Sequence, residues 1–156
     1  MIQVRLANTS EEKVPQRLAA AAFAELRSVY VPTPSARAQA ASTASTFSRL
    51  VALDEREVIV GTVLYRIERD RLHVRGLAVH PDARRRGIAR SLLRFVFRKA
   101  LASNLRAVSL FAVVETGNTS LFERVGFRTV NRSPDETTEV IRGGRPTLAY
   151  MERVVR

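Results

Sequence analysis

The chain has 156 residues, of which 46% are hydrophobic and 26% are charged, a composition typical of one globular domain and not of a disordered chain. It has no cysteine and two histidines, which excludes disulfides, thiolate nucleophiles and thiolate metal sites, so we expect no bound metal. The formal net charge of +11 is compatible with a nucleic acid, an acidic protein or a phosphorylated small molecule as partner, or with diffuse basicity alone.

The first third of the chain predicts one strand and two helices. Alternation of apolar and polar residues over 2–6 predicts a short strand. Apolar residues then recur at helical spacing, which predicts a helix from Glu11 to about Tyr30, capped by Thr9 or Ser10 and ended by two prolines. The apolar positions of this helix are Val14, Leu18, Ala22 and Leu26. The small residues of 36–48 predict a second, weaker helix.

The remainder of the chain alternates between strand and helix patterns. Period-two patterns predict three antiparallel strands joined by tight hairpins, at 50–53, 58–66 and 72–79. The later elements are a helix from Ile88 to about Asn104, a strand at 107–114, a short helix at 118–125 closed by Gly126, and strands at 127–131 and 147–155. The polar, glycine-containing residues 133–145 predict a mobile loop. This order predicts a mixed α/β sheet in a single domain over residues 1–156.

The stretch RRRGIAR, Arg84 to Arg90, lies between the predicted strand 72–79 and the following helix. The start of a helix presents unpaired backbone N–H groups, and the helix dipole favours an anion there. Gly87 has no Cβ, so a phosphate can approach the backbone closely, and Ala89 is the next smallest residue. Arginine side chains add charge-assisted hydrogen bonds to phosphate oxygens. The stretch therefore predicts a phosphate-binding loop.

Two motifs resemble the GNAT superfamily of N-acetyltransferases. Residues 84–89 match that family's [Q/R]-x-x-G-x-[G/A] pattern, and LFERVGF at 121–127 is similar to its second signature, commonly LYEKLGF. The resemblance covers essentially the whole chain in the order of elements. It implies the GNAT fold, a mostly antiparallel central sheet with splayed fourth and fifth strands flanked by helices, and acetyl-CoA as acyl donor substrate.

The resemblance also implies a cofactor site. In the family, backbone N–H groups of the six-residue loop hold the pyrophosphate, and pantetheine runs between the splayed strands like an added strand. The implied pyrophosphate ligands are Arg84, Arg85, Arg86, Gly87, Ile88 and Ala89. The implied contacts of the pantetheine arm are the backbones of Leu77, Ala78 and Val79, together with Asn118 and Phe122. Arg90, Arg94 and Arg98 follow at a spacing of four, which indicates a solvated helix face.

The implied reaction is direct attack of a primary amine on the thioester in a ternary complex. A backbone N–H must stabilise the oxyanion, and Val79 is the candidate. Glu115 is the candidate base, although a carboxylate stabilised at a helix start explains it equally well. The second signature commonly supplies a tyrosine as acid, but Phe122 stands there and has no proton to give. Ser120 and Tyr150 are the alternative acids.

His73 has a pKa suited to proton transfer, but it ranks below Glu115 as a base. Period two places His73, Arg75, Leu77 and Val79 on one face of their strand. His73 is then about 20 Å from the expected carbonyl site unless a bulge intervenes. His80 is expected to belong to the turn after the strand.

The acceptor amine is not identified by any motif. The resemblance assigns acceptor recognition to the first two helices and the loop between the last strands. Three carboxylates of that loop are candidates to receive a cationic amine, unless the loop is simply solvated: Asp135, Glu136 and Glu139. The acyl group can also be larger than acetyl. Members of the family are often dimers, and a homodimer stays open here.

Two other functions stay open on the sequence. Phe122 favours a coenzyme A-binding protein of this fold with little catalysis. The net charge favours a nucleic-acid-binding module, but aromatic residues are not interleaved with the arginine cluster, and the arginines are spread along the chain. The chain lacks a signal-peptide layout and an apolar run of about 18 residues, so we expect a cytoplasmic protein without membrane contact.

Overall fold

A computed structural model describes all residues from 1 to 156 as one mixed sheet with helices on both faces. The strands are β1 (Gln3–Leu6), β2 (Ser48–Leu53), β3 (Ile59–Glu68), β4 (Arg71–Val79), β5 (Ala107–Val113), β6 (Arg128–Pro134) and β7 (Thr147–Val154). The helices are α1 (Lys13–Ala24), α2 (Pro34–Thr43), α3 (Ile88–Ala102) and α4 (Asn118–Arg124). None of the four helices combines the length and the apolar composition that a membrane span requires.

The sheet has the order β1-β2-β3-β4-β5-β7-β6. Every neighbouring pair is antiparallel except β4 and β5, which are parallel. The long apolar strand β3 lies between β2 and β4, as its composition predicts. The predicted mixed α/β sheet is confirmed, and its one parallel pair lies at the centre.

The main core lies on the face of the sheet that α3 and α4 cover. The apolar stripe of α3 is buried along its whole length, which satisfies the 3.6-residue period of its sequence. Gly61 on β3 lets α3 approach, because a Cβ there would lie 2.7 Å from Ile88 Cγ2 and 3.1 Å from Leu92 Cδ1. Gly126, with a φ of +96°, ends α4 as predicted. The sheet therefore positions the start of α3 through a close contact with β3.

Helix α1 covers the opposite face and is shorter than predicted. It packs Leu18 and Ala22 against Ala78 of β4, whereas Val14 is 51% exposed. The helix begins at Lys13, after a 3-10 turn over Thr9–Glu11, and ends at Ala24, so the prediction of a helix from 11 to 30 is wrong at both ends. Residues 25–29 form successive turns, in which the amides of Leu26, Arg27 and Val29 donate to carbonyls three residues earlier, as in a 3-10 helix.

Two helix-start signals were missed in the sequence. The Asn8 backbone N–H donates to Glu11 Oε1 at 2.7 Å, so Asn8 and not Thr9 or Ser10 begins the first turn. Pro34 starts α2 instead of only ending the preceding helix, since Thr33 Oγ1 accepts from the Ala36 amide at 3.1 Å. The predicted helix over 36–48 therefore begins two residues earlier and ends at Thr43, with Ser48 already in β2.

The loop between β6 and β7 is fixed against the chain that joins α1 to α2. The Thr33 amide donates to the Thr137 carbonyl at 2.9 Å, and the Glu139 amide donates to the Val31 carbonyl at 2.7 Å. Asp135 is 1% exposed, and its Oδ1 accepts from the Thr137 amide and hydroxyl. The expectation of a solvated acidic loop is therefore wrong for Asp135, whose carboxylate stabilises the turn.

Candidate active site

A gap opens between β4 and β5 where their pairing ends. The two strands pair only at Arg71 with Ala107, Leu72 with Val108, and His73 with Ser109. Beyond that point β4 continues to Val79 and β5 to Val113 without a ladder between them. The facing edges of both strands therefore carry backbone groups that an extended ligand can bind as an added strand.

A bulge at Gly76 changes which side chains of β4 face the gap. The register of β4 against β3 shifts between the pairs Leu64–Arg75 and Thr62–Ala78, and Gly76 has a φ of +68°. Leu77 and Val79 consequently pack on the face of α3, while His73 and Arg75 point to the face of α1 and α2. The prediction that all four share one face is wrong, because it assumed an unbroken period of two.

The backbone amide of Val79 points into the gap. The His80 amide donates to the Val60 carbonyl of β3 at 2.8 Å. Successive amides of a strand alternate in direction, so the Val79 amide points away from β3 and toward β5, where no strand pairs with it. The amide is thus available to a ligand oxygen in the gap.

The gap opens on the α1 and α2 face into a cleft of about 500 Å³. Its walls come from α1, α2, β4, β5 and the start of α4, and 15 of its 23 lining residues are hydrophobic. Among the residues that the sequence singled out, Leu77, Asn118 and Phe122 line it. A cleft of this size and apolar character is typical of small-molecule sites.

The arginine stretch forms the turn between β4 and α3. The Asp82 amide donates to His80 Nδ1 at 3.1 Å, so His80 belongs to the turn as predicted. Arg85 and Gly87 have φ of +65° and +75°, and Gly87 is the N-cap of α3. No backbone amide from residue 84 to residue 90 donates to an acceptor in the protein. The unpaired amides and the helix start therefore form a cradle for an anion.

The side chains of this turn add positive charge. Arg84 forms an ion pair with Glu25 after α1, with Nη1 and Oε2 2.9 Å apart. Arg85, Arg86 and Arg90 are exposed and form no ion pair. Ile88 is 2% exposed and anchors the turn in the core. Three guanidinium groups without an ion pair therefore belong to the same short segment as the free amides, which suits a ligand with more than one phosphate charge.

The comparisons with known proteins agree with this geometry. A family model described as the Acetyltransferase (GNAT) family matches residues 16–127. The chain belongs to the GNAT acetyltransferase family. The match contains the splayed strands, the arginine turn and the second signature, and it confirms the resemblance to this family. The curated proteins contain no significant match.

Solved GNAT structures share the fold at low sequence identity. The ribosomal-protein-S18-alanine N-acetyltransferase from Escherichia coli has a TM-score of 0.77 at 15% identity, covering 99% of this chain and 94% of that chain. A GNAT-family acetyltransferase from Staphylococcus aureus has a TM-score of 0.76 at 14% identity, and both chains are covered completely. The yncA protein from Salmonella typhimurium, solved with its cofactor acetyl-CoA, has a TM-score of 0.73 at 16% identity over 100% and 95% of the two chains. The predicted GNAT fold is confirmed.

The second GNAT signature lies beside the cleft. Phe122 is 8% exposed and packs its ring against Phe127 in a T-shaped contact. Asn118 is the first residue of α4 and lines the cleft, and its backbone amide donates to Thr116 Oγ1 at 3.2 Å. Leu77 lines the cleft, whereas the side chain of Ala78 does not, because it is buried against α1.

The carboxylate of Glu115 is bound to another part of the protein. Glu115 follows β5 and is exposed, and its Oε1 accepts from the Thr147 amide at 2.7 Å. This hydrogen bond lowers the pKa of Glu115 below its usual value of 4.5. Glu115 does not line the cleft, although its neighbours Val113 and Thr116 do. Its clearest role is to hold the start of β7 against the end of β5.

Tyr150 and Ser120 also lie outside the cleft lining. The Tyr150 hydroxyl donates to Glu152 Oε2 at 2.8 Å, and burial together with that carboxylate raises the pKa of the phenol. Glu152 is 6% exposed and bridges Arg71 and Tyr150. Ser120 is exposed on α4. The fold therefore brings neither candidate acid to the cleft, and their role as acids stays a prediction.

The sequence analysis did not single out the charged side chains that line the cleft. They are four arginines, namely Arg27, Arg37, Arg49 and Arg75. Arginines occur throughout this sequence, so no local pattern distinguishes these four. The bulge had a signal, since a glycine inside a strand pattern often marks one. No cluster of three or more His, Cys, Asp and Glu side chains that could hold a metal occurs in the chain.

Proposed function

We propose that the chain is a cytoplasmic, acetyl-CoA-dependent N-acetyltransferase that acetylates a primary amine by direct attack in a ternary complex. The observation that carries the proposal is the position of the arginine turn at the end of β4, next to the gap between β4 and β5. A phosphate site that adjoins a gap between two strands suits a ligand in which a pyrophosphate is linked to an extended thioester arm. The relative solved with acetyl-CoA supports that choice of donor.

The residues present fit this cofactor. The free amides of residues 84–90 and three unpaired arginines would hold its pyrophosphate. A Cβ added at Gly87 meets nothing within 4 Å, so open space lies at the turn where phosphate oxygens would come. The unpaired backbone edge of Leu77, Ala78 and Val79 would bind the pantetheine arm, with Asn118 and Phe122 beside it.

When bound, acetyl-CoA supplies an acetyl thioester that a neutral amine can attack. The Val79 amide would donate to the carbonyl oxygen as negative charge develops on it, a contribution that is typically several kcal/mol when the donor is fixed in advance. The bulge at Gly76 aims this amide, because it sets the direction of every backbone group between Leu77 and His80. The apolar part of the cleft wall would shield the thioester from water.

Loss of the amine proton is not assigned to a side chain. Glu115 was predicted as base, but its carboxylate accepts from Thr147 and its pKa is lowered, which makes it a weak proton acceptor. Proton transfer to water through the open mouth of the cleft is the simplest alternative. Titration of turnover between about pH 6 and 9 tests this, since an amine that loses its proton to water gives a single rise toward its own pKa.

A second candidate function is a coenzyme A-binding protein of this fold with little catalysis. Phe122 stands where the family commonly has a tyrosine, and it is packed against Phe127. Tyr150 donates to Glu152, and Glu115 accepts from the Thr147 amide, and neither residue lines the cleft. General acid help is typically worth roughly 10²–10⁴-fold, so its loss slows acetyl transfer without abolishing it.

The experiment that tests the proposal measures acetyl-CoA binding and amine-dependent release of coenzyme A. A ligand that binds the native state raises the melting temperature, so acetyl-CoA should do so and Gly87→Glu should abolish the rise. Gly87→Asn, whose side chain tolerates a positive φ, should keep it. Arg98→Gln on the exposed face of α3 makes the same change of one charge unit away from the turn and should also keep it.

The two readouts separate the candidates. Stabilisation together with coenzyme A release in the presence of a mixture of amines supports the acetyltransferase. Stabilisation without release supports the binding protein. If millimolar acetyl-CoA leaves the melting temperature unchanged, both candidates fail.

A further inference from the structure

The acceptor side of the cleft has charge of one sign only. Its charged lining residues are the four cleft arginines, Arg27, Arg37, Arg49 and Arg75. No aspartate or glutamate lines the cleft. The three carboxylates of the β6–β7 loop do not supply one, because Asp135 is engaged within its turn and Glu136 and Glu139 lie exposed outside the lining.

Three of the cleft arginines have no carboxylate partner in the protein. Arg49 is the exception, since its Nε donates to Glu12 Oε2 at 3.0 Å. Arg75 is held by the Ala40 carbonyl and the Thr43 hydroxyl and lies over the ring of Phe47, contacts that fix its position without neutralising it. Its charge is therefore available to a ligand in the cleft.

Arg27 and Arg37 stand at the mouth of the same cleft. Arg27 lies over the Tyr30 ring at 5.3 Å, and Arg37 is exposed on α2. Neither forms a hydrogen bond or an ion pair with another side chain. Guanidinium groups remain charged at every physiological pH, so with Glu12 counted the four cleft arginines leave a net charge of +3 around the acceptor space.

The cleft arginines are separate from the arginines of the phosphate cradle. The cradle lies in the turn before α3, and none of residues 84–90 lines the cleft. The cleft arginines come from α2, β2, β4 and the turns after α1. A pyrophosphate held at the cradle therefore leaves them uncompensated, so their combined charge would attract a second anionic group into the cleft.

We propose that the acceptor is a small primary amine that also carries an acidic group, as an apolar α-amino acid or its phosphonate analogue does, and that the cleft arginines bind that group. The assignment rests on the proposed acetyltransferase function. The apolar partners are Phe23, Leu26 and Tyr30 of the α1 side, which would contact the side chain of such an acceptor. A polyamine, which needs carboxylates for its second charge, is disfavoured by the same geometry.

The arrangement also prepares the amine for attack. Positive charges near an amine disfavour its protonated form and lower its pKa. The amine of a free amino acid is more basic than a peptide N-terminus because its own carboxylate favours the protonated form, so pairing that carboxylate with the arginines shifts the amine toward its neutral form. The cleft arginines would therefore both hold the acidic group and reduce the need for a protein base, which the cleft lacks.

The test measures binding by calorimetry to the protein saturated with coenzyme A, with three probes of one shape. L-leucine has an amine and a carboxylate. L-leucinamide has a neutral amide in place of the carboxylate, and 3-methylbutylamine has the amine and side chain without any carboxyl group. The corresponding acid, amide and amine of phenylalanine and of methionine are also tested, because the side chain of the natural acceptor is not known. The aminophosphonate analogue of leucine distinguishes a phosphonate from a carboxylate, and spermidine is the polycationic comparison.

The expected result is that at least one acidic probe binds about tenfold or more tightly than its amide, the size expected for one charged hydrogen-bonded contact. The double substitution Arg27→Gln with Arg37→Gln should reduce that preference several-fold, because Arg75 remains, and it leaves the phosphate cradle intact. Arg17→Gln, an exposed arginine of α1 outside the cleft, should leave the preference intact. Equal binding of acid and amide, tighter binding of spermidine, or no binding of any acidic probe at millimolar concentration overturns the proposal.

Failure of the enzyme function gives a different pattern. If acidic probes bind with the stated preference but no coenzyme A is released from acetyl-CoA, the acidic-amine site stands and the acetyltransferase function falls. If spermidine or a neutral amine is acetylated and the acidic amines are not, the function stands and the acidic-amine assignment falls.

Discussion

His73 on β4 and Ser109 on β5 join the two strands at the point where their pairing ends. His73 Nδ1 lies 2.9 Å from Ser109 Oγ, and the same two residues form the last pair of the parallel ladder. Ser109 is 2% exposed, and the His73 ring packs edge-on against Phe111. This contact therefore marks the closed end of the gap in which we place the pantetheine arm.

The buried position of His73 predicts how stability depends on pH. Burial lowers its pKa from 6.5, Glu68 opposes this, and the charges of Arg66 and Arg75 add to the lowering. The unfolded chain then binds this proton more readily, so stability should decrease as pH falls below about 6.5 and level off below the folded pKa. His73→Gln should flatten that dependence in urea unfolding at about pH 7.5 and pH 5.5.

Glu11 provides a separate window for the same measurement. Hydrogen bonds, first from Arg5 and then from the Asn8 amide, lower the pKa of Glu11 to about 2. Its contribution to stability is therefore complete above its usual pKa of 4.5 and lost only as pH falls toward 2, well below the window of His73. An unchanged slope between pH 7.5 and 5.5 in His73→Gln would contradict the assignment to His73.

Gly61 seats the first turns of α3. An alanine Cβ would meet Ile88 Cγ2 at 2.7 Å and Leu92 Cδ1 at 3.1 Å, both in the core. Gly61→Ala should therefore lower the free energy of unfolding by about 1–3 kcal/mol and weaken stabilisation by acetyl-CoA, because α3 carries the phosphate cradle. Gly143→Ala, with no atom within 4 Å of the new Cβ, is the control and should be nearly neutral. Full acetyl-CoA stabilisation in a destabilised Gly61→Ala protein would show that the cradle is not tied to this contact.

The contact of Glu115 with Thr147 predicts a structural effect of substitution. Glutamine keeps an acceptor oxygen for the Thr147 amide, so Glu115→Gln should retain most of the turnover and lose about 1 kcal/mol or less of stability. Glu115→Ala should lose more stability, since it removes the acceptor. A fall in turnover of roughly 10²–10⁴-fold in a stably folded Glu115→Gln protein would instead establish Glu115 as the base.

Tyr150 gives the matching test of the acid. Its hydroxyl donates to the buried carboxylate of Glu152. Burial raises the pKa of Glu152, but hydrogen bonds from Arg71 and Tyr150 outweigh this effect, so the pKa lies below its usual value. Tyr150→Phe should therefore cost about 1 kcal/mol of unfolding free energy with little change in turnover. Tyr65→Phe, on the opposite face of the sheet, is the comparison for loss of a phenol hydroxyl. A selective loss of turnover in Tyr150→Phe would show that the phenol reaches the cofactor.

Features that depend on neighbouring residues in the chain were predictable from the sequence. The apolar stripe of α3, the glycine that ends α4 and the glycine at the N-cap of α3 are each fixed by a few adjacent residues. The phosphate cradle belongs to this group, because a strand, an arginine turn and a helix follow one another directly. These local patterns also carry both GNAT motifs, so the family and its fold followed from the sequence.

Features that depend on residues far apart in the chain were decided by the tertiary structure. The bulge at Gly76 is set by the register of β4 on β3 and changes the faces of all later residues of the strand. The sequence around Glu115 and Asp135 is typical of solvent-exposed carboxylates. In the structure the Thr147 amide donates to Glu115, and the Thr137 amide donates to the buried carboxylate of Asp135.

The four cleft arginines illustrate the same limit most clearly. They are spread along the chain from residue 27 to residue 75, and nothing in their local sequence distinguishes them from the other arginines. The sequence by itself determined the fold and the anion-binding turn, because both depend on short-range spacing and polarity. Only the tertiary structure decided which charges share one cleft, because that depends on packing of α1 and α2 over the gap between β4 and β5.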